Sequence, residues 1–360
     1  MSVFLYYILP FIIVLGILIF FHELGHFLVA KYFGVKVLKF SLGFGPKLVW
    51  RTVGETEYSI RYIPLGGYVK MLGESIDDAD EPLTPEDAKK SFTNQHVLRR
   101  IAIAGAGPLF NLLLALLIFC FFYLFAGNQV MTPEIGQVTP DSPAYQAGLL
   151  KGDIIVSING KPVDRWSGIK NAVTDSAGKP LEITIHRGDL TSTFTVVPEP
   201  SVVKNIFGEE IKSALIGIVA SGKFKTIELG PLDAIKEGFR KTWEIIALTC
   251  RTIVKLFQRV IPIKTLGGPI LIGQMTGQLA KESLTYLIPF MAVISINLGI
   301  LNLLPVPILD GGLIVFLLIE LVIGKPLSIK KREVAQKIGL FLLILLMAVV
   351  MYNDVVRILE

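Results

Sequence analysis

The stretch His22-Glu23-Leu24-Gly25-His26 ends an apolar run, Phe4 to Phe21, that contains no charged residue. Residues four apart lie on one face of a helix, so the two imidazoles can bind one metal ion. Glu23 is then placed to accept a proton from the attacking water. Burying these groups in an apolar helix is costly unless something binds or pairs them. The alternative is a pair of solvated histidines at a helix end on the bilayer surface.

The composition indicates a membrane protein, because 52% of the 360 residues are hydrophobic and only 18% are charged. The chain begins without a basic region or a small-residue cleavage site, so the first apolar run is interpreted as a retained span. Hydropathy predicts four spans in all, at residues 4–31, 101–126, about 286–323 with a break at Pro305 and Pro307, and 336–352.

Basic residues indicate the orientation of these spans. They are concentrated between the first and second spans and between the third and fourth, so both segments are expected inside and residues 127–285 outside. These loops account for the net charge of +5. No aromatic-interleaved basic patch predicts a nucleic-acid partner.

Between the first two spans, residues 35–51 and 57–72 alternate apolar and polar side chains and contain Gly43-Phe44-Gly45-Pro46 and Gly66-Gly67. This pattern predicts β-hairpins. The first is apolar enough to enter the bilayer beside the histidine helix, and the alternative is a hairpin on the cytoplasmic surface. Residues 74–91, acidic and proline-containing, predict a mobile polar loop.

The second span begins with small residues, Ala104-Gly105-Ala106-Gly107, which permit close helix contact. Asn111 follows on the same span. We favour a packing hydrogen bond for its amide over a role in shaping the active site.

Residues 127–222 have the composition of a soluble α/β module. Residues 142–149 predict a short helix with a glycine cap, residues 152–160 a strand ending in an Asn-Gly turn, and residues 181–186 and 193–197 two further strands. The stretch resembles a bacterial PDZ domain. That resemblance implies a groove for an extended peptide, with the carboxylate-binding loop near Leu215-Ile216-Gly217-Ile218. His186 is interpreted as a surface residue.

The remaining extracytoplasmic segment, residues 223–285, contains helical periodicity over residues 232–260. Charges interrupt its apolar positions, so it predicts an interfacial helix on the outer leaflet and not a fifth span.

A catalytic zinc usually has three protein ligands, so two histidines are too few. The third candidate is Asp310, which follows two prolines in Asn302-Leu303-Leu304-Pro305-Val306-Pro307-Ile308-Leu309-Asp310-Gly311. The helix from Phe4 to His22 rises ~27 Å and that from Leu287 to Leu304 ~26 Å. Both motifs therefore reach a similar depth in a ~30 Å hydrocarbon core. The alternative is that Asp310 only caps a helix.

Taken together, the His22-Glu23-x-x-His26 motif, the Gly-Phe-Gly hairpin, Gly107-Pro108 with Asn111, the PDZ-like insertion and the Asn302 to Gly311 motif resemble the site-2 protease family of intramembrane zinc metalloproteases. The bacterial regulator-of-sigma-E type is the most similar. This resemblance implies zinc bound by His22, His26 and Asp310, with Glu23 as general acid/base. It also implies a role for Asn302 at the substrate site, which we assign to holding the substrate backbone. The chain has room for one PDZ domain, whereas the best-known form has two.

The expected function is therefore cleavage within or near the transmembrane segments of single-span membrane proteins, with anti-sigma factors and remnant signal peptides as candidate substrates. The expected location is the bacterial inner membrane, in contact with lipid, with the active site toward the cytoplasm and the PDZ domain outside. There the PDZ domain would bind a peptide C-terminus or exclude large substrate ectodomains. A strand edge around Gly43, Phe44 and Gly45, including Lys39 to Leu42, is expected to pair with the unwound substrate.

The predicted fold class is a multi-span α-helical membrane protein with four transmembrane helices, a membrane-associated β-hairpin and an inserted α/β PDZ domain. Four segments are predicted. Residues 1–126 contain transmembrane helices one and two with the hairpins, and residues 127–222 form the PDZ domain. Residues 223–285 form the interfacial region, and residues 286–360 contain helices three and four.

Two other functions compete with this one. A membrane-tethered zincin acting in water would need a third ligand in a soluble domain, but His96 and His186 lack a supporting motif. A non-enzymatic PDZ receptor or membrane chaperone would not need Glu23, because a structural zinc site requires no general base.

Overall fold

The computed structural model describes residues 4–74 and 84–359, with the side chain of Leu65 excepted. The chain divides into two compact units. The first comprises residues 1–122, 236–254 and 262–360, and the second comprises residues 123–235 and 255–261.

Within the described residues, four helices are long and apolar enough to cross a membrane: Phe4–Tyr32, Val97–Ala126, Leu284–Asn302 and Ile329–Leu359. The first consists of a π-helical turn, Phe4–Ile8, followed by α1, Leu9–Tyr32. The other three are helices α3, α8 and α10. The prediction is confirmed to the extent that the described residues contain four candidate membrane-spanning helices.

The third predicted span consists of two helices. Helix α8, Leu284–Asn302, ends before the prolines, and α9, Asp310–Ile323, begins at the aspartate. Pro305 and Pro307 lack the N–H groups that a continuous helix would need, so the chain breaks between these helices. The break places Asp310 in the first turn of α9.

Two long strands, β1 (Val37–Val53) and β2 (Thr56–Met71), form the sheet beside α1. Residues 47–53 pair with residues 56–61, and residues 39–42 pair with residues 57–60 on one side and 67–70 on the other. Residues 39–42 are therefore flanked on both sides, and the expectation of a free edge at Lys39 to Leu42 is wrong. In this register residues 67–71 form an outer edge of the sheet.

The segment predicted to be a mobile polar loop contains a short helix, α2, Pro85–Lys90. The Thr84 side chain accepts a hydrogen bond from the backbone N–H of Asp87 at 3.1 Å and caps this helix. Pro85 at the first position and two acidic residues in the first turn also favour a helix start. The loop prediction is therefore wrong at residues 85–90, and its central part lies outside the described residues.

The predicted interfacial helix is α6, Pro231–Phe257, which is amphipathic along its length. Its residues 236–254 belong to the first unit, where Oγ1 of Thr249 donates to Oδ1 of Asn297 on α8 at 2.8 Å. A 3₁₀ turn, Ile263–Thr265, and helix α7, Pro269–Glu282, follow.

The strands of the second unit are β3 Asn128–Met131, β4 Ile135–Val138, β5 Ile154–Ile158, β6 Lys161–Pro162, β7 Leu181–Arg187, β8 Leu190–Val196, β9 Glu199–Lys204, β10 Glu210–Leu215, β11 Ile218–Ala220 and β12 Phe224–Ile227. They form a four-stranded sheet with the order β6-β5-β7-β8 and three two-stranded pairs, β9 with β10, β4 with β11, and β3 with β12. Its helices are α4 Pro143–Gln146 and α5 Trp166–Thr174. Alternate residues of these strands, including Ile155, Ile183 and Ile185, are completely buried and form the core.

Candidate metal centre

Two histidines from α1 and one aspartate from α9 meet at one point of the first unit. Nε2 of His22 lies 3.2 Å from Oδ2 of Asp310, and Nε2 of His26 lies 3.6 Å from Oδ1 of the same carboxylate. The two Nε2 atoms are 3.3 Å apart. The helical i, i+4 spacing and the break before α9 thus bring three donors within 4.8 Å of one another, which is compatible with a single metal ion.

A backbone carbonyl orients the second histidine. Nδ1 of His26 donates a hydrogen bond to the carbonyl oxygen of Ile103 on α3 at 2.8 Å. Because a carbonyl can only accept, the proton of the neutral ring is on Nδ1 and the lone pair of Nε2 is directed at Asp310. A histidine that binds a metal usually has a second hydrogen bond of this kind.

Asn111 of α3 performs the corresponding role for the first histidine. Its side-chain nitrogen lies 3.2 Å from Nδ1 of His22, and its oxygen Oδ1 is buried without a hydrogen-bond partner. Rotating the side-chain amide by 180° exchanges its nitrogen and oxygen, so that Oδ1 accepts the N–H of His22. Nε2 of His22 is then free for a metal. The packing interpretation of Asn111 is therefore wrong for its side chain, although its backbone carbonyl accepts a packing bond from Ser295 at 2.7 Å.

Glycines make room for these contacts. A Cβ at Gly107 would lie 2.2 Å from Nε2 of His26, and a Cβ at Gly25 would lie 2.4 Å from the backbone oxygen of Ala106. A Cβ at Gly311 would meet the carbonyl of Leu303 at 2.3 Å. Helices α1 and α3, and the break and α9, therefore approach more closely than any side chain would allow.

A cavity of about 180 Å³ opens onto the three donors. Glu23, which directly follows His22 in sequence, lines it together with Tyr68 and Val69 of the outer strand segment, residues 67–71. The backbone amide of Val69 interacts with the Glu23 carboxyl. Glu74, which no sequence pattern singled out, lines the same cavity. The cavity thus brings the donors, a candidate proton acceptor and a strand edge together.

The remaining predicted site residues lie outside this cavity lining. Gly43 lines a separate, apolar cavity of about 370 Å³ beside α1. The Phe44 ring stacks on Tyr68 with centroids 6.4 Å apart, and Gly45 accepts a hydrogen bond from Arg61 at 2.6 Å. Asn302 is the last residue of α8 and is half-buried.

In the second unit, a groove of about 460 Å³ lies between α5 and the segment Leu215–Ile218. The loop is held by two backbone bonds, from Thr139 to the carbonyl of Gly217 at 2.8 Å and from Ala144 to that of Ile216 at 2.9 Å. Gly217 has a φ of +80°, which favours glycine. His186 is exposed, as expected, and its ring contacts Thr191.

The donor set fits zinc. Two imidazole nitrogens and one carboxylate are common ligands of catalytic zinc, which keeps a further position open, and here the cavity provides that opening. The carbonyl of Ile103 supplies the supporting hydrogen bond for His26, and the unpaired Asn111 oxygen is available to supply one for His22.

Comparisons with known proteins identify the family to which the chain is similar. Residues 10–346 match the model of peptidase family M50. Protease RseP of Yersinia pestis is 33% identical over 450 residues, with 96% of this chain and 98% of the relative covered. Zinc metalloprotease RasP of Geobacillus kaustophilus is 34% identical over 423 residues, with 97% of each covered. The PDZ domain of an SdrC-like protein from Listeria monocytogenes is 20% identical, covers 24% of this chain and 84% of that domain, and has a TM-score of 0.20.

The membrane helices and the site define a membrane-bound metalloprotease. The chain belongs to peptidase family M50, the site-2 protease family of zinc metalloproteases. The predicted family, enzyme class and zinc cofactor are confirmed.

Proposed function

We propose that this protease cleaves peptide bonds within or beside the transmembrane segments of single-span membrane proteins. His22, His26 and Asp310 would hold the zinc, and Glu23 would be the general acid/base. The observation that carries the proposal is the meeting of these three donors beside Glu23 on helices that include a membrane-length span. A site built into such helices is suited to a substrate that lies in the membrane.

When bound, zinc polarises the scissile carbonyl and lowers the pKa of a water molecule. The chain's own residues do the rest. Asp310 and the two imidazoles are pre-oriented by α9, Ile103 and Asn111, so little reorganisation is needed. Glu23 takes the proton of the attacking water and delivers it to the leaving amine. The small cavity limits the water that reaches the reacting groups.

A transmembrane substrate must be unwound before attack, because its carbonyls are engaged in helical hydrogen bonds. An extended segment can regain those bonds by adding to a sheet edge. Residues 67–71 are the edge that lines the cavity, and Gly67 lies against Glu23, since a Cβ there would be 3.0 Å from Cγ of Glu23. We assign the substrate strand to this edge. Phe44, between Gly43 and Gly45, supports this edge by stacking on Tyr68. Asn302, at the end of α8, would hold the substrate backbone.

Such an arrangement requires the β1–β2 sheet to lie within the membrane beside α1. Apolar side chains exposed on this sheet, among them Leu48, Trp50 and Ile60, support that placement. Backbone at membrane depth is tolerated where it is buried in protein or lines a wet cavity. The basic segments favour an orientation in which the active site lies toward the cytoplasm of a bacterial inner membrane and residues 127–222 lie outside.

We further propose that residues 127–222 are a PDZ domain and residues 223–285 an interfacial region. The groove between α5 and Leu215–Ile218 would accept a peptide C-terminus, or the domain would exclude large substrate ectodomains. Anti-sigma factors already trimmed by another protease, and remnant signal peptides, are substrates of suitable form, because each presents a single span with a short outer segment.

The test compares the purified full-length protein with Glu23→Gln, each assayed for bound zinc and for cleavage of a single-span substrate trimmed outside. Glu333→Gln, at an exposed position on α10, is the matched control. We expect zinc in all three proteins and cleavage by all but Glu23→Gln, lost with a chelator and restored with zinc. Equal cleavage by Glu23→Gln would rule out Glu23 as the base, and loss of zinc in that variant would make it a structural residue.

A further inference from the structure

The outer strand segment directs alternate backbone groups toward the metal cavity. In an antiparallel pair, successive residues direct their N–H and C=O groups alternately toward the partner strand and away from it. Val69 and Met71 therefore face the same side. The amide of Val69 meets the Glu23 carboxyl, and the N–H of Met71 donates to Oε2 of Glu74 at 3.2 Å. Both outward amides are thus occupied by carboxyl groups.

Glu74 also forms a hydrogen bond with the backbone carbonyl of Met71. Its own N–H donates to the carbonyl oxygen of Met71 at 3.3 Å. A residue in an added antiparallel strand would make this pair of bonds, accepting one N–H and donating one. Glu74 therefore occupies the place of a partner residue opposite Met71.

The turn that brings Glu74 back is tightly specified. Gly73 has a φ of +70°, and a Cβ there would lie 2.2 Å from Oγ of Ser91. Met71 is only 4% exposed and anchors the end of the strand. Glu74 is partly buried and lines the cavity that contains Glu23 and Asp310. Such a sheltered position favours a persistent contact with Met71, since water competes poorly for a buried N–H.

We propose that Glu74 is a positioning residue that closes the substrate-binding edge at Met71 and so sets the register of the added substrate strand. This inference rests on the proposed function. Strand pairing moves in steps of two residues, because only alternate residues exchange hydrogen bonds with a given edge. With Met71 closed, the last residue with which a substrate strand can pair is Val69, where the strand would replace the Glu23 carboxyl at the backbone amide. This end point determines which substrate peptide bond lies beside Glu23. Without Glu74, the edge extends by one pairing position and the substrate can slip.

The first experiment needs neither substrate nor metal. Hydrogen exchange is measured on the peptide containing residues 67–72 in the full-length protein, in Glu74→Ala and in Glu74→Gln. Glu86→Ala, which removes an exposed glutamate of α2, is the control for charge. We expect the Met71 amide to exchange about fivefold faster in Glu74→Ala, as loss of one net hydrogen bond implies. Glu74→Gln keeps an acceptor oxygen and should exchange like the wild type. Equal exchange in all four proteins would overturn the proposed closure.

The second experiment locates the cleaved bond of a single-span substrate by mass spectrometry with the same proteins loaded with zinc. We expect one position for the wild type, Glu74→Gln and Glu86→Ala, and added positions displaced by two residues for Glu74→Ala. An unchanged position in Glu74→Ala, or a zinc-loaded but inactive Glu74→Ala, would overturn the register role. A displaced position in Glu74→Gln would attribute the effect to charge and overturn the hydrogen-bond argument. Absence of cleavage by the wild type would contradict the proposed function instead, while the exchange measurement still tests the closure.

Discussion

A methyl group at Gly107 of α3 would lie 2.2 Å from Nε2 of His26, the nitrogen that faces Asp310. Replacing Gly107 by alanine should therefore displace this imidazole and lower zinc affinity by about tenfold or more, the effect typical of disturbed supporting groups. Gly105→Ala on the same helix is the matched control, because its Cβ would meet nothing closer than 3.9 Å. Zinc titration of both variants checks the prediction. Equal affinities would mean that α1 and α3 can separate without cost to the site.

The buried contact between Asn111 and His22 makes a second prediction. Asn111→Ala leaves Nδ1 of His22 without a partner and should lower zinc affinity by about 10- to 100-fold. Asn111→Asp keeps an oxygen at this position and should retain most of the affinity. Competition with a chelating dye measures both. If alanine and aspartate behave alike, the side chain does not orient His22.

A third prediction concerns the buried ion pair between Arg100 of α3 and Glu320 of α9. Their side chains are only 7% and 13% exposed, so removing one partner leaves an uncompensated charge in the protein. Arg100→Met should therefore destabilise the protein by roughly 3–5 kcal/mol, and adding Glu320→Met should recover much of the loss. Because α9 also carries Asp310, Arg100→Met should weaken zinc binding as well.

The measurement is a double-mutant cycle on thermal unfolding in detergent, with zinc content determined for each protein. Strictly additive losses for Arg100→Met and Glu320→Met would show that the two side chains do not interact energetically.

The sequence predicted those parts of the site that depend on residues close to one another in the chain. Two histidines four residues apart must share a helix face, and prolines before Asp310 must end a helix, so all three donors followed from local rules. Asn111 was misinterpreted because it is 89 positions from His22, and only the packing of α1 on α3 joins them.

The strand edge and Glu74 could not be predicted for a different reason. Alternation identifies β1 and β2 as strands, but their register contains repeated irregularities that alternation cannot locate. Residues 39–42 therefore acquire neighbours on both sides, which leaves the outer position to residues 67–71. Glu74 begins an acidic segment whose composition predicts exposure to solvent. The turn at Gly73 that brings Glu74 back to Met71 forms only in the folded sheet.

A final prediction concerns the start of α7, where Asp354 of α10 replaces a local cap. Its carboxylate accepts the N–H of Gly268 at 2.9 Å and those of Ile270 and Leu271 at 3.1 Å each. The first N–H groups of a helix have no partner within it, and Gly268 supplies no side chain to accept them.

Because Asp354 is only 2% exposed, Asp354→Ala would leave several donors of α7 buried and unbonded. We expect a loss of about 1–3 kcal/mol in unfolding free energy, since an unsatisfied buried donor carries its full desolvation cost. Asp354→Asn keeps one acceptor oxygen and should lose less. Glu333→Ala, which removes one half of an exposed pair with Lys337 on the same helix, should change stability by at most about 0.5 kcal/mol. Equal unfolding temperatures for Asp354→Ala and Glu333→Ala would show that water satisfies these donors and that α10 does not hold the start of α7.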